Sequence, residues 1–255
     1  MFGWLRARTA ARPIPDHLWN PVIARHAFLA RRPAPDVARL RELASVFLAQ
    51  KQFSGAGGLV ITDEIAVSIA AQAVLPVLHL GLRWYDDFVG IVVHPHEVIA
   101  KRTAVDDAGV VHDWQEVISG EAMDRGPVML SWSDASGSRA GAHEGYNVVI
   151  HEFVHKIDMR DGAADGCPPM RTRAARKAWL DVMQREYEAF REKVVVAQRF
   201  GGAEPWLDPY AAESMGEFFA VASEAYFVER ERFDAEHAAL ARLFDSFYLS
   251  GAKAP

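Results

Sequence analysis

The sequence predicts a helix-rich α+β fold in which a small mixed sheet comes before a helix with two histidines one turn apart. Apolar residues recur at the helical spacing i, i+3, i+4 and i+7 over much of the chain. Three short apolar runs, bounded by glycine, proline or polar residues, lie before residue 133. No stretch has the composition of a linker, so we expect residues 1–255 to form one domain, with residues 1–15 loosely ordered.

Each element is predicted from its periodicity and from the residues that begin or end it. Asp36 is expected to cap the second helix, Thr62 to start the third and Asn147 to cap the fourth. Gly55–Gly58 interrupts the chain before the first strand. Helices are expected at residues 16–31, 36–52, 63–80, about 147–159, 172–196, 214–229 and 234–249, and strands at 59–61, 88–93 and 128–132.

The composition is that of a globular protein with an acidic balance of charge. Half of the 255 residues are hydrophobic, and the net charge is −6 with a pI near 5.9. This balance argues against broad electrostatic binding to nucleic acid or to an anionic membrane. No apolar run is long enough to span a bilayer, and Cys167 has no second cysteine to pair with. We therefore expect a reduced protein in the cytoplasm.

The most informative segment is His151-Glu152-Phe153-Val154-His155. Residues four apart lie on one face of a helix, so both imidazoles can bind one tetrahedral Zn²⁺. The glutamate projects toward the open coordination position, where it can accept a proton from a metal-bound water. The alternative is a surface helix with two solvated histidines, but an apolar stripe at helical spacing predicts a buried, amphipathic helix. This stripe comprises Tyr146, Val149, Ile150, Phe153, Val154 and Ile157. We expect one zinc ion per chain.

A catalytic zinc ion needs a third protein ligand, and two candidates follow the motif directly. Asp161 lies six residues after His155, as the last ligand does in the pattern HExxHxxGxxH. That pattern needs a glycine where this chain has Asp158. Asp158 lies on the same helix stripe as the histidines, but one rigid helix rarely gives three ligands to one ion. We expect Asp158 instead to accept a hydrogen bond from a ligand histidine or to form a salt bridge.

Two further candidates, Glu217 and Glu224, lie seven residues apart on one face of a later helix. Ser214-Met215-Gly216-Glu217 also has the form of a capping box, in which Glu217 would fold back onto the amide of Ser214. Gly216 favours the ligand interpretation, since glycine permits close approach of another helix. Glu224 could orient a ligand histidine or form a buried salt bridge. Spacing alone leaves these alternatives open.

Several segments together resemble the Mlc titration factor A family of bacterial zinc metallopeptidases. The matching segments are His151–Asp158, Asp208-Pro209-Tyr210 and Glu217–Val221, with weaker similarity at Gly58–Thr62 and Trp132–Asp134. Their joint order is specific, and the resemblance covers the chain from about residue 16 onward. The tyrosine and glutamate seven residues apart are also similar to those of the metallopeptidase domain of anthrax lethal factor.

The resemblance implies a zincin-type metallopeptidase domain and assigns roles by position. His151, His155 and Glu217 would bind the zinc ion. Glu152 would act as the general base, and Tyr210 would donate its hydroxyl to the developing oxyanion. This set is chemically consistent, because two neutral histidines and one carboxylate leave the Zn²⁺ site with a net positive charge. A water bound there can have a pKa near ~7.

The function that the resemblance implies is hydrolysis of peptide bonds, with aminopeptidase-like activity on short substrates. The family also implies binding to the glucose-responsive transcriptional repressor Mlc, and thereby control of sugar phosphotransferase uptake. The alternative is a non-catalytic regulatory protein that titrates a repressor and holds zinc mainly for structural reasons. The intact Glu152 argues against that alternative. A peptide substrate would pair with an edge strand, for which Val128–Trp132 is the candidate.

Overall fold

The computed structural model describes residues 11–105, 111–118, 120–137, 145–162 and 164–251, and in 98–105 and 111–118 it describes the backbone alone. The helices are α1 Asp16–Arg25, α2 Ala27–Ala30, α3 Ala34–Gln50, α4 Asp63–Ala73, α5 Trp132–Ala135, α6 Val148–Asp158, α7 Arg173–Phe200, α8 Met215–Val228, α9 Arg230–Glu236 and α10 Ala238–Tyr248. The strands are β1 Gln52–Gly55, β2 Gly90–His94, β3 Val98–Val105, β4 Val111–Ile118, β5 Gly120–Ala122 and β6 Val128–Ser131. Most of the segment expected to be loosely ordered, residues 1–10, lies outside the described ranges.

The main sheet is small and mixed, and its strands have the spatial order β1-β2-β6-β5. The first three strands are parallel, with Gln52 opposite Gly90 and Ile91 opposite Val128. Strand β5 runs antiparallel to β6, with Gly120 opposite Leu130. Strands β3 and β4 form a separate antiparallel pair. The predicted helix-rich α+β class with a small mixed sheet is confirmed.

The first strand lies seven residues earlier than the sequence predicts. The prediction of a strand at 59–61 is wrong, because β1 occupies Gln52–Gly55 and the chain turns back immediately afterwards. The turn is closed by a hydrogen bond from Leu59 N to Ala56 O at 3.0 Å. Strand β2 already pairs with β1 on one side and β6 on the other, so it offers residues 59–61 no free edge.

The strand expected to line the cleft is an interior strand. Val128–Ser131 lies between β2 and β5, so its backbone groups are already paired on both sides. The prediction that this segment forms an edge is therefore wrong. Among the described strands of the main sheet, β1 and β5 form the two edges. The short strand β5 precedes a turn with polar and glycine residues, which hides it in the sequence pattern.

Several predicted helices end earlier or are divided in two. The helix expected at 16–31 is broken at His26, and the one expected at 234–249 is broken at His237. Helix α4 ends at Ala73 rather than near residue 80, since Pro76 cannot donate within a helix and its ring crowds the preceding turn. Asp36 lies within the first turn of α3 and does not cap it, whereas Thr62 does cap α4. Among the described residues, none of the helices combines the length and the apolar composition that a membrane span requires.

Helix α6 lies at the centre of the protein, and all of its residues are buried. It packs against α4, α8 and β5. Phe153 projects from α6 on the side away from the two histidines and contacts three rings, those of Phe47, Tyr85 and Phe88, at centroid distances of 5.6, 5.1 and 5.9 Å. Burying one such side chain stabilises the fold by about 2 kcal/mol, so this cluster anchors the helix.

A second aromatic cluster fixes α8 beside α6. Phe219 of α8 contacts Trp179 of α7 and Phe244 of α10, at centroid distances of 5.5 and 5.6 Å. The indole N–H of Trp179 donates to Gly166 O at 2.7 Å. These contacts bind α8 to the two helices behind it and to the loop after α6. Glu217 and Glu224 therefore project from a helix whose position is set by packing.

Candidate metal centre

The cap of α6 determines where the two histidines begin. Asn147 Oδ1 accepts a hydrogen bond from Ile150 N at 2.9 Å, which confirms the predicted N-cap. One turn later, His151 and His155 lie above one another, with ring centroids 4.7 Å apart. Their Nε2 atoms are 3.1 Å apart. The helix thus aims one nitrogen from each ring at the same point.

Helix α8 brings Glu217 to this point. Ser214 Oγ accepts from Glu217 N at 3.1 Å, so the predicted serine cap forms. The carboxylate of Glu217 does not return to the cap but points to the histidines. Its Oε2 lies 3.0 Å from His151 Nε2 and 3.3 Å from His155 Nε2. Capping and metal binding are therefore compatible, because they use the amide and the side chain of Glu217 separately.

The three converging atoms fit a metal ion. In the described part of the chain, His151, His155 and Glu217 form the one group of three or more possible ligands that meets the spacing a metal requires, within 4.8 Å. A tetrahedral ion with bonds of about 2.0–2.1 Å separates its ligand atoms by about 3.3 Å. The observed separations of 3.0 to 3.3 Å agree with that value.

The contacts of His151 favour a positive charge at this point. Its Nδ1 lies 2.7 Å from Glu224 Oε1, a carboxylate that accepts the Nδ1 proton. In the neutral ring, Nε2 then presents a lone pair to the oxygen of Glu217, and two acceptors at 3.0 Å repel unless a positive charge lies between them. Burial lowers the pKa of His151, but hydrogen bonds to Glu217 and Glu224 raise it well above the usual value. The surroundings therefore favour a proton or a metal ion here.

The two carboxylates differ in their surroundings. Burial raises the pKa of Glu217, but hydrogen bonds from His151 and His155 outweigh it and hold that pKa far below the usual value. Burial raises the pKa of Glu224. Glu224 accepts at one oxygen from His151 and at the other from the backbone N–H of Asn147. Glu224 orients the ring of His151 but does not reach the point where Nε2 of the two histidines and Oε2 of Glu217 converge. Orienting a ligand histidine is one of the two roles that the sequence leaves open for Glu224.

Glu152 is buried beside the histidines, with 4% of its surface exposed. Burial raises the pKa of its carboxyl to about 6, although the neighbouring His151 and His155 act to lower it. Strand β5 runs directly past this carboxylate. A Cβ on Gly120 would lie 2.5 Å from Glu152 Oε1, so a larger residue at that position would displace either the carboxylate or the strand. The carboxyl of Glu152 therefore lies against the edge strand β5 as well as beside the two histidines.

Strand β5 is held against α6 at its far end as well. Lys156 Nζ donates to Met123 O at 2.8 Å and to Gly126 O at 3.4 Å, in the turn between β5 and β6. Its side chain is fully buried, and Asp87 lies 3.8 Å away. The same helix therefore positions the histidines, Glu152 and the edge strand together.

Tyr210 lies at the open side of this group. It belongs to the 3₁₀ turn Pro209–Ala212, which Asp208 caps by accepting a hydrogen bond from Tyr210 N at its Oδ1, 2.9 Å long. Its ring centroid is 6.1 Å from that of His151, and 39% of its surface is exposed. The structure thus brings the predicted tyrosine next to the predicted ligands.

Comparison with known proteins assigns the chain to a protein family. The model of the glucose-regulated metallo-peptidase M90 family matches residues 1–249. The chain belongs to this family. It is 34% identical over 221 residues to Mlc titration factor A of Yersinia pestis and of Yersinia pseudotuberculosis, covering 86% of this chain and 80% of each relative. It is also 31% identical over 247 residues to an uncharacterized protein of Synechocystis, covering 96% of this chain and 88% of the relative.

The two other acidic candidates lie apart from the cluster of this M90 chain. Asp161 lies in a 3₁₀ turn after α6 and is exposed. Asp158 Oδ2 accepts from Gly166 N at 2.8 Å, and the carboxyl is fully buried. The prediction that Asp158 supports a ligand histidine or forms a salt bridge is wrong, because the carboxyl accepts a hydrogen bond from the loop after α6. Burial raises its pKa to about 8.

Three residues at or near the site are not identified by sequence reasoning, namely Gly120, Lys156 and Gln72. Gln72 donates to Ala135 O at 3.0 Å and accepts from Asn147 Nδ2 at 2.8 Å. Its signal in the sequence is a single long polar side chain within the apolar run of α4. Lys156 follows the motif directly but resembles an ordinary charged residue. Gly120 gives no signal, since its importance depends on what packs opposite.

Proposed function

We propose that this M90 chain is a zinc-dependent peptidase with an aminopeptidase-like preference for short substrates. The observation that carries the proposal is the meeting of His151 Nε2, His155 Nε2 and Glu217 Oε2 within 3.0–3.3 Å, with Glu152 buried beside them. Two imidazoles and one carboxylate are a frequent ligand set of catalytic zinc, and they leave one coordination position open. A purely structural site would have four protein ligands and no need of an adjacent acid.

The roles of the residues follow from their positions. His151, His155 and Glu217 would hold the ion, and Glu224 would fix the ring of His151. Zinc, when bound, would supply Lewis-acid chemistry that lowers the pKa of a water and polarises the scissile carbonyl. The carboxylate of Glu152 would accept a proton and deliver it to the nitrogen of the leaving amine.

Tyr210 and strand β5 would act on the substrate itself. The hydroxyl of Tyr210 would donate to the carbonyl oxygen as that oxygen gains negative charge. The outer edge of β5 would pair with the extended backbone of a peptide, and Gly120 brings this edge against Glu152. The peptide would then lie with a carbonyl near the acid. In this proposal β5 has the role that the sequence analysis gave to Val128–Trp132, whose strand lies inside the sheet.

The test compares zinc-loaded wild type with Glu152→Gln on a panel of aminoacyl and short-peptide chromogenic substrates. Glutamine has the size of glutamate but accepts no proton, so the variant should bind zinc and lose about 10²–10⁴-fold in kcat. Metal content is measured on the same samples by mass spectrometry. Tyr210→Phe should lower kcat with less effect on KM, since the lost hydrogen bond strengthens in the transition state.

Three outcomes would contradict this proposal in whole or in part. If wild type with one zinc ion per chain cleaves none of the substrates, the chain is not a peptidase of this kind. If Glu152→Gln with full zinc retains wild-type activity, Glu152 is not the base. A spectrum of metal-loaded protein showing a fourth protein ligand would favour the alternative of a mainly structural zinc.

We also propose that the chain binds a repressor of the Mlc type in the cytoplasm. The support is the 34% identity to two proteins named Mlc titration factor A. The cytoplasmic location is proposed because Cys167 is the single cysteine and cannot form an internal disulfide. Titration calorimetry with purified Mlc of Yersinia pestis should give a saturable signal, for Glu152→Gln as well as for wild type. No heat at micromolar concentrations with either protein would reject this proposal.

A further inference from the structure

A line of buried hydrogen bonds leads from the metal centre into helix α4. His151 Nδ1 lies 2.7 Å from Glu224 Oε1, and the other oxygen of Glu224 accepts from the backbone N–H of Asn147. The side-chain Nδ2 of Asn147 then donates to Gln72 Oε1 at 2.8 Å. Three helices, α8, α6 and α4, are therefore joined by side chains that end on one candidate metal ligand.

The orientation of both amides follows from the cap of α6. Asn147 Oδ1 accepts from Ile150 N, so its Nδ2 must point to Gln72. Gln72 in turn must present Oε1 to Asn147 and Nε2 to carbonyls. Its Nε2 does donate to Ser68 O at 3.1 Å and to Ala135 O at 3.0 Å. Each donor in this line thus meets an acceptor, and reversing either amide would place like groups together.

Burial gives this line a single arrangement. Gln72 and Glu224 are 1% and 2% exposed, and Asn147 is 9% exposed. A buried polar group that loses its partner costs about 1–3 kcal/mol, so none of these side chains can turn away cheaply. Ala71 and Ala73, which flank Gln72 in α4, are fully buried, and a side chain that only filled the core could be apolar. The amide of Gln72 therefore has a purpose other than core packing.

We propose that Gln72 and Asn147 are positioning residues of the metal centre, acting through Glu224 on the ring of His151. This inference rests on the proposed metal site, but not on peptidase activity. Gln72 holds the side chain of Asn147, whose backbone N–H holds one oxygen of Glu224. The other oxygen then keeps the Nδ1 proton of His151 and aims Nε2 at Glu217. Removing a residue that hydrogen-bonds to a metal ligand commonly weakens metal binding by about 10–100-fold.

Two substitutions break the same hydrogen bond from its two sides. Gln72→Met keeps the length of the side chain but neither donates nor accepts. Asn147→Ser retains a good helix cap and loses the amide that reaches Gln72. The matched control is Ser223→Ala, which removes a buried hydrogen bond between Ser223 Oγ and Tyr248 Oη, 2.8 Å long. Ser223 lies next to Glu224 in α8, but its hydroxyl bonds to Tyr248 and not to a member of the line.

The experiment measures the zinc affinity of the full chain by competition with a chromogenic chelator, and the visible spectrum of the Co²⁺-substituted protein. We expect about tenfold weaker zinc binding and a changed Co²⁺ spectrum in Gln72→Met and in Asn147→Ser. The double variant should lose no more than about the larger single loss in zinc affinity, because both changes break the bond between Asn147 and Gln72. The bonds of Gln72 to Ser68 O and Ala135 O, which Gln72→Met also removes, do not lead to the metal centre and should affect stability in urea instead. Ser223→Ala should lose stability in urea while it keeps the wild-type affinity and spectrum.

The inference is overturned if both single variants bind zinc as wild type does, if their losses add in the double variant, or if Ser223→Ala loses affinity equally. Should Gln72→Met fail to fold, Asn147→Ser decides the result alone. A wild type that binds zinc tightly but hydrolyses nothing would reject the proposed peptidase and leave this inference standing. A wild type that binds no zinc would reject both.

Discussion

Gly120 and Glu152 stand so close that the strand passes the acid with no room for a side chain. A Cβ on Gly120 would lie 2.5 Å from Glu152 Oε1 and 2.6 Å from its Cγ. Carbon and oxygen atoms at such distances overlap, so either the strand or the carboxylate would have to move. The edge strand β5 and the carboxyl of Glu152 are therefore held at a fixed distance from each other.

We expect Gly120→Ala to lower kcat by about 10–100-fold while the chain keeps its zinc. The methyl group displaces Glu152, because the three atoms nearest to it all belong to that side chain. Activity and metal content are measured on the same preparation. Gly90→Ala is the control in the same sheet, since its Cβ would meet Pro127 at 3.3 Å and not the acid. Equal losses in both variants would show that the effect comes from the sheet and not from Glu152.

Replacing Glu224 should weaken metal binding rather than abolish it. In Glu224→Gln the amide can accept from only one of its two donors, His151 and the N–H of Asn147, and its own N–H₂ faces the other. Zinc affinity should fall by about 10–100-fold, measured by chelator competition. Glu188→Gln removes the same charge from the exposed face of α7 and should bind zinc as wild type does. An unchanged affinity in Glu224→Gln would mean that the ring of His151 needs no support.

The sequence predicts the motif helix and the class of the fold because both depend on short-range pattern. His151 and His155 lie within one helix and Asn147 is its cap, so their spacing alone places them. The choice between Glu217 and Glu224 depends on how α8 packs across α6, which no local pattern contains. Their roles are separated in space by the two nitrogens of one ring, since Glu217 faces Nε2 and Glu224 faces Nδ1.

The sequence does not predict strand β5, for a related reason. It has three residues, and the groups that reveal its importance, Glu152 and Lys156, come about thirty residues later in the chain. Edge position is a property of the whole sheet, so the order of strands must be known before an edge can be named. Val128–Trp132 has the better strand pattern because it is interior and more buried.

Gly216 permits another part of the chain to approach α8 closely, as the sequence analysis expects. The part that approaches is a loop and not a helix. A Cβ at Gly216 would lie 2.6 Å from Ala164 O, and one at Gly166 would lie 2.5 Å from Met215 O. The loop after α6 therefore rests directly on the first turn of α8, next to Glu217. Gly216→Ala should push that turn away and weaken zinc binding by about tenfold.

The control for Gly216→Ala is Gly201→Ala at the end of α7. Gly201 has φ +68° and no atom within 4 Å of a built Cβ, so the change adds backbone strain of about 1 kcal/mol and no collision. It should lower stability in urea without changing zinc affinity. If Gly216→Ala binds zinc like wild type, the loop does not determine the position of Glu217.

Asp158 should make the protein less stable as the pH rises through neutrality. Burial raises its pKa to about 8 from an ordinary value near 3.8. Below pH 4 the carboxyl is protonated in both the folded and the unfolded chain. Between pH 4 and pH 8 the unfolded chain releases the proton and the folded chain keeps it, so the free energy of unfolding falls by up to about 1.4 kcal/mol per pH unit.

Asp158→Asn removes this proton and keeps an oxygen that can accept from Gly166 N. The free energy of unfolding of the variant, minus that of wild type, should therefore rise from pH 5 to pH 8 by more than about 1.4 kcal/mol, the worth of one pKa unit. Urea unfolding at intervals of one pH unit measures this difference. A difference that stays level over the range would show that Asp158 is ionised in the folded protein, with a partner for its charge.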